Sequence, residues 1–154
     1  MLEHRGWLTD ARILDLYAGS GAMGIEALSR GARAVVFVEA SPGVVRTLRD
    51  NLAASGFAER AEVVPTSAER ALRAMTRRGT RVDGVIADPP YGRGDLQPLL
   101  ERVAGGDVLA AGGWIAVEHA ATELPEAPPG MVVAARRRHG GTALTLFRRV
   151  EVAS

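Results

Sequence analysis

From Ala11 onward, short apolar runs alternate with longer stretches in which apolar positions recur every three to four residues. Parallel strands produce this alternation, because each must be joined to the next by a crossover long enough to hold a helix. Residues 12–16 read as a first strand and 22–30 as a helix halted at Gly31. Residues 34–39 form a second strand, after which Ser41-Pro42 supplies an N-cap and a first-turn proline for a helix to about Ser55. The cycle repeats with a strand over 61–64, a helix over 67–77, a strand over 82–87, a helix over 95–103 and a fifth strand over 114–118. Pro125, Pro128, Pro129 and Gly130 then exclude a regular helix. Two more strands, 131–135 and 142–147, flank an arginine run and His139-Gly140-Gly141, which reads as a hairpin connection. The expected fold is doubly wound α/β, a mostly parallel seven-stranded sheet closed by an antiparallel C-terminal hairpin, with residues 1–154 as a single domain.

Composition narrows the chemistry. A chain of 154 residues, 47% of them hydrophobic, hides roughly 68–70% of its unfolded surface and needs no metal or disulfide to acquire a core. It has no cysteine, which removes disulfides, thiolate metal sites and a cysteine nucleophile, and no metal ligand set is expected. No apolar run nears the ~20 residues of a membrane span and the first residues lack a signal peptide's apolar segment, so the expectation is a cytoplasmic protein without a membrane partner. Net charge is +1 and every basic residue is an arginine. Arg77-Arg78 with Arg81, Arg136 to Arg138, and Arg148-Arg149 are either solvated faces or contacts to a phosphate backbone.

Two segments carry candidate chemistry. Asp15-Leu16-Tyr17-Ala18-Gly19-Ser20-Gly21-Ala22-Met23-Gly24 ends the first strand and opens a helix, the position at which doubly wound sheets bind ligands. Gly19, Gly21 and Gly24 match the dinucleotide spacing, and Glu39 at the tip of the second strand suits ribose hydroxyls. Tight strand-to-helix packing also calls for glycine here, so a nicotinamide enzyme stays in contention. Asp15 argues against it, because a carboxylate at this strand end favours a cationic amino group over a pyrophosphate, and S-adenosyl-L-methionine has that amino group and no phosphate. The second segment, Asp88-Pro89-Pro90-Tyr91, follows the fourth strand on the same sheet edge. Its prolines remove backbone donors and leave carbonyls to accept from an amine. Asp88 adds an acceptor and Tyr91 a face on which a base stacks.

Asp15 to Gly21, Glu39 and Asp88 to Tyr91 resemble class I S-adenosylmethionine-dependent methyltransferases that modify exocyclic amines of bases. More narrowly, residues 14–32, Phe37-Val38-Glu39, Asp88 to Tyr91 and the Gly140-Gly141-Thr142 region resemble the RsmD family of bacterial 16S ribosomal RNA guanine-N2 methyltransferases. The resemblance implies S-adenosyl-L-methionine as cofactor, held by Asp15, Tyr17, Ala18, Gly19, Ser20, Gly21, Glu39, Ala40, Ser67, Ala68 and Asp88. Asp88, Pro89, Pro90 and Tyr91 would form the catalytic segment. Ser67-Ala68 occupies the place where such enzymes present Asp or Asn to the adenine amine, and His139-Gly140-Gly141-Thr142 replaces the usual Tyr-Gly-Asp-Thr. The implied partner is ribosomal RNA within a small-subunit particle, met by a monomer. Other readings are methylation of adenine N6 or of a protein glutamine, and a cofactor-binding module without turnover. Family members carry an arginine-rich segment before the first strand, whereas Met1-Leu2-Glu3-His4 resembles the interior of the helix that normally leads into that strand. The chain as given is therefore expected to fold and bind cofactor but to methylate RNA poorly.

Overall fold

The computed structural model describes residues 6–90, 92 and 94–150, so the expected lead-in at residues 1–4 and the stacking residue Tyr91 lie outside the described residues. The elements follow in the order β1 (Arg12–Leu16), α1 (Ala22–Ser29), β2 (Ala34–Val38), α2 (Pro42–Ser55), a 3₁₀ turn (Ala58–Arg60), β3 (Ala61–Val64), α3 (Ala68–Arg78), β4 (Val82–Ala87), α4 (Leu96–Gly105), β5 (Leu109–Ala120), β6 (Met131–His139) and β7 (Thr142–Arg149). The sheet order is β3-β2-β1-β4-β5-β7-β6. The first five strands pair in parallel, while β7 runs antiparallel to both β5 and β6. The chain winds outward from β1 to β2 and β3 and then returns to β4 on the other side, which opens a crevice at the carboxyl ends of β1 and β4.

Burial on both faces explains why the inner strands are nearly continuous apolar runs. Ile13 faces the core built with Phe37, Leu48 and Leu52 under α1 and α2. Leu14 and Leu16 face the opposite core, with Leu72, Leu99 and Leu100 of α3 and α4. The Trp7 ring stacks on Trp114, centroids 6.0 Å apart, and extends the first core toward the chain's start. Ser67 caps α3 by accepting from the Arg70 N–H at 3.2 Å. Ser41 occupies the N-cap of α2 without a side-chain cap bond, and its own N–H is instead donated to Glu39.

Two expectations need correction. β5 begins at Leu109, not Trp114, and its pairing with β4 shifts register between Val82 and Gly84. Ala110-Ala111-Gly112-Gly113 gives no apolar alternation to reveal the early start. The arginine run belongs to β6, not to the hairpin connection: Arg136, Arg137 and Arg138 pair with Thr145, Leu144 and Ala143. The turn is Gly140-Gly141 alone, with Gly140 at φ +63 in the left-handed region a two-residue hairpin needs. β6 is the outermost strand on its side, and charged residues are tolerated, even useful, on such an edge. Among the described residues no helix is long and apolar enough to cross a membrane, and none group as a metal site.

Candidate functional site

The loop after β1 is fixed by close contacts on every side. Tyr17, a bulky residue, sits at φ +59, a conformation that costs on the order of 1–3 kcal/mol and persists only where the surroundings impose it. The Ala18 N–H is donated to the Val38 carbonyl at 2.9 Å, and the Asn51 amide of α2 to the Ser20 carbonyl at 2.9 Å. A Cβ at Gly21 would lie 2.4 Å from Leu48 Cδ1, and one at Gly24 would lie 2.3 Å from Phe37 Cε1 and 2.8 Å from Asp15 Oδ2. The glycine spacing therefore lets α1 settle onto β1 and β2, which is the packing explanation. Gly19 is half-buried and Ser20 exposed at this edge.

Acidic side chains end successive strands along this edge: Asp15 in β1, Glu39 after β2, Asp88 after β4 and Glu118 in β5. Asp15 lies beneath the loop, 3% exposed, with its Oδ2 accepting from the Gly24 N–H at 3.2 Å. Burial lifts its pKa to about 7; the Gly24 bond opposes the rise, and the charges of Asp88 and Glu39 add to it. Asp15 thus presents a field through the loop more than an open contact. Glu39 is better placed to touch a ligand. Its Oε1 accepts from the Gly19 N–H at 3.0 Å and its Oε2 from the Ser41 N–H at 2.9 Å, so the carboxylate is aimed and each oxygen keeps a lone pair for a vicinal diol. Asp88 is exposed at its tip, and partial desolvation raises its carboxyl above the ordinary range. Pro89 beside it is buried and Pro90 exposed.

A cleft of about 190 Å³ joins most of these elements: Tyr17, Glu39, Ala40, Ser67, Ala68 and Pro90 line it, from four different segments. Asp15, Ala18, Gly19, Ser20 and Gly21 adjoin it on the β1 side but are not in its walls, and neither is Asp88. Among the described residues Val38, Thr66, Glu69 and Asp95 complete the lining; the last three were not singled out as site residues in the sequence, although Thr66 and Glu69 flank the cap at Ser67 and Asp95 precedes α4. Ser67 Oγ already accepts a bond from Arg70, which leaves its hydroxyl hydrogen to donate. A larger hollow, about 360 Å³ and lined by Leu72, Arg73, Thr76, Arg77 and Arg102, lies between α3 and α4 and contains none of the expected site residues. Volume alone would favour it; the convergence of strand ends favours the smaller cleft. Of the other arginines, Arg136 donates to the Pro125 carbonyl at 2.6 Å and Arg149 to the Leu109 carbonyl at 3.3 Å, so both hold the fold.

Glu39→Ala removes the carboxylate that both aims the loop and faces the cleft. Its expected cost to cofactor binding is about 1.5–3 kcal/mol, the range for hydrogen bonds to a charged group. Calorimetric titration with S-adenosyl-L-methionine measures this, and preferential binding of NAD by the unaltered chain would overturn the assignment of this edge.

Comparison with known proteins completes the description. Residues 1–148 match the family model described as conserved hypothetical protein 95. Ribosomal RNA small subunit methyltransferase D of Escherichia coli K12 is 34% identical over 143 residues, which are 92% of this chain and 70% of that protein. YlbH of Bacillus subtilis, an inferred rRNA methyltransferase, is 37% identical over 139 residues, covering 90% of this chain and 76% of the relative. Among solved structures, a conserved hypothetical protein of Streptococcus pyogenes superposes with a TM-score of 0.83 at 29% identity, over 91% of this chain and 86% of that one.

Proposed function

The chain belongs to the family of conserved hypothetical protein 95, that of the RsmD-type methyltransferases, and from that premise we propose that it transfers a methyl group from S-adenosyl-L-methionine to the exocyclic N2 amine of a guanine in 16S ribosomal RNA. The observation that carries the reading is the cleft in which Tyr17, Glu39, Ser67 and Pro90 meet. It joins a diol-binding carboxylate to the first residues of an amine-binding turn. The residues fit the cofactor. Glu39 faces its ribose, Ser67 and Ala68 its adenine, and the Asp15 carboxylate complements the positive charge of its amino group.

When bound, the cofactor supplies a methyl group already activated by the sulfonium, so the protein's task is positioning and charge stabilisation. The guanine amine is a weak nucleophile because its lone pair is delocalised into the ring. Asp88 and the Pro89 carbonyl would accept its two hydrogens, draw the nitrogen toward a tetrahedral geometry and stabilise the positive charge that develops there. Asp88, or solvent at its exposed tip, would take the proton released. Tyr91 would stack on a base that has left its helix, offsetting part of the few kcal/mol of unstacking. The proposed setting is a small-subunit particle in the cytoplasm, with the enzyme acting as a monomer.

Incubation with small-subunit particles and isotopically labelled cofactor, followed by nuclease digestion and mass spectrometry, tests the proposal. Label in N2-methylguanosine is the expected result. Label only in adenosine or in protein glutamine would refute it, and binding without any transfer would reduce the chain to a cofactor-binding module.

A further inference from the structure

The Asp88-Pro89-Pro90 turn accounts for an amine as acceptor but not for guanine as its bearer. Adenine N6, cytosine N4 and guanine N2 all offer two N–H donors to the same carboxylate and carbonyl. They differ at the adjoining ring atom: N1 of adenine and N3 of cytosine are acceptors, whereas N1 of guanine carries a hydrogen. A site that selects guanine needs an acceptor next to the amine-binding turn and no donor in its place.

Such an acceptor stands on the neighbouring strand. Parallel pairing sets Ala87 against Val117, so one residue further on Glu118 comes beside Asp88. Glu118 is half-buried and shares a cleft with Pro89, Pro90, Gly94 and His119. The cleft holds only about 10 Å³, room for one water-sized group, and is too small for a whole base ring. No hydrogen bond or ion pair among the described residues engages the Glu118 carboxylate. Partial burial, then the charge of Asp88, push its carboxyl above the ordinary range. An incoming donor would relieve that tension.

His119 is spent elsewhere. Its Nδ1 lies 2.8 Å from the Ala120 carbonyl, which can only accept, so Nδ1 carries the hydrogen. Nε2, 2.7 Å from Thr145 Oγ1, then accepts from the hydroxyl. With both ring nitrogens occupied and the ring 2% exposed, His119 offers no donor that would suit the bare N1 of adenine.

We propose that Glu118 accepts the N1–H of the target guanine and is the residue that separates guanine from the other amine-bearing bases. The inference rests on the guanine-N2 reading above and deepens it.

The test uses two synthetic RNAs spanning the guanine identified by mass spectrometry. One carries guanine at that position, the other 2,6-diaminopurine, which keeps the N2 amine but presents a bare N1 acceptor. The unaltered chain should prefer guanine by about a hundredfold in kcat/KM, since a site built around a donor rejects the analogue that lacks it. In Glu118→Gln the amide N–H can meet the bare N1, and the preference should move toward diaminopurine by at least about tenfold. Calorimetric affinity for S-adenosyl-L-methionine should stay within about twofold, showing that the variant is folded. An unchanged guanine-to-diaminopurine ratio in Glu118→Gln would overturn the role of Glu118 and leave the guanine reading standing, as would a shift produced by Glu123→Gln in its stead. Failure of the unaltered chain to methylate the guanine RNA would instead bring down the functional reading itself.

Discussion

Asp88→Ala is expected to lower kcat for methyl transfer by on the order of 10²–10³-fold, the usual consequence of removing a group aimed at charge that develops in the transition state. Cofactor affinity should change by no more than about threefold. Asp88 stands outside the walls of the cofactor cleft, and its tip is exposed, where water screens its charge. The separation of the two effects is the informative part: loss of an interaction made with the acceptor lowers turnover and leaves the binary complex alone. Single-turnover transfer together with calorimetry measures both. A parallel fall in cofactor affinity would mean that Asp88 chiefly holds the cofactor.

Asp15→Asn should stabilise the protein and weaken cofactor binding. The Asp15 carboxyl has a pKa of about 7 in the fold against an ordinary 3.8, so between those values the native state holds a proton that the unfolded chain has lost. Stability contributed by this position therefore falls as pH rises from about 4 to 7, and the penalty is complete above 7. Asparagine never ionises, yet its side-chain oxygen can still accept from the Gly24 N–H. The variant should accordingly be more stable at pH 8, by about 2–4 kcal/mol, with the advantage gone below pH 4. The charge that costs the fold stability is the one a cationic ligand uses. Binding by the unaltered chain should rise by up to about tenfold per pH unit between pH 5 and 7, as the proton on Asp15 leaves. In Asp15→Asn that rise should flatten and affinity at pH 8 should fall about ten- to a hundredfold. Denaturant unfolding at pH 5 and 8 with parallel calorimetry would decide. A variant less stable than its parent at pH 8 would show that the buried charge is compensated in the fold.

The parts of the molecule legible in the sequence share a physical property: their signal is local. β1 and β4 have the bounds expected from their apolar runs, because a strand buried on both faces has little choice of residue. α2 stops at Gly56, whose left-handed backbone is a C-terminal signal in any context. Asp15, Glu39 and Asp88 could be placed on one sheet edge because each stands at or near the end of an apolar run. What escaped was set by partners distant in the chain. The arginines of β6 look like a loop until β7 is beside them. Asn51 holds Ser20 across 31 positions, and nothing near Asn51 announces it. Glu118 looked like the end of a strand, and gained meaning only from the register that sets β5 against β4.

The order of the last three strands also has a consequence for synthesis. β7 lies between β5 and β6, so a ribosome releases β6 before the strand with which it pairs. During that interval β6 has an unsatisfied backbone on both sides, and Val132 and Val133 are exposed even in the finished sheet. Such a segment, left alone, would tend to add to any open strand it met. The three guanidinium groups at Arg136 to Arg138 keep it hydrated and repel a second copy of itself. The run that looked like a connection serves as the strand's protection while it waits for its partner.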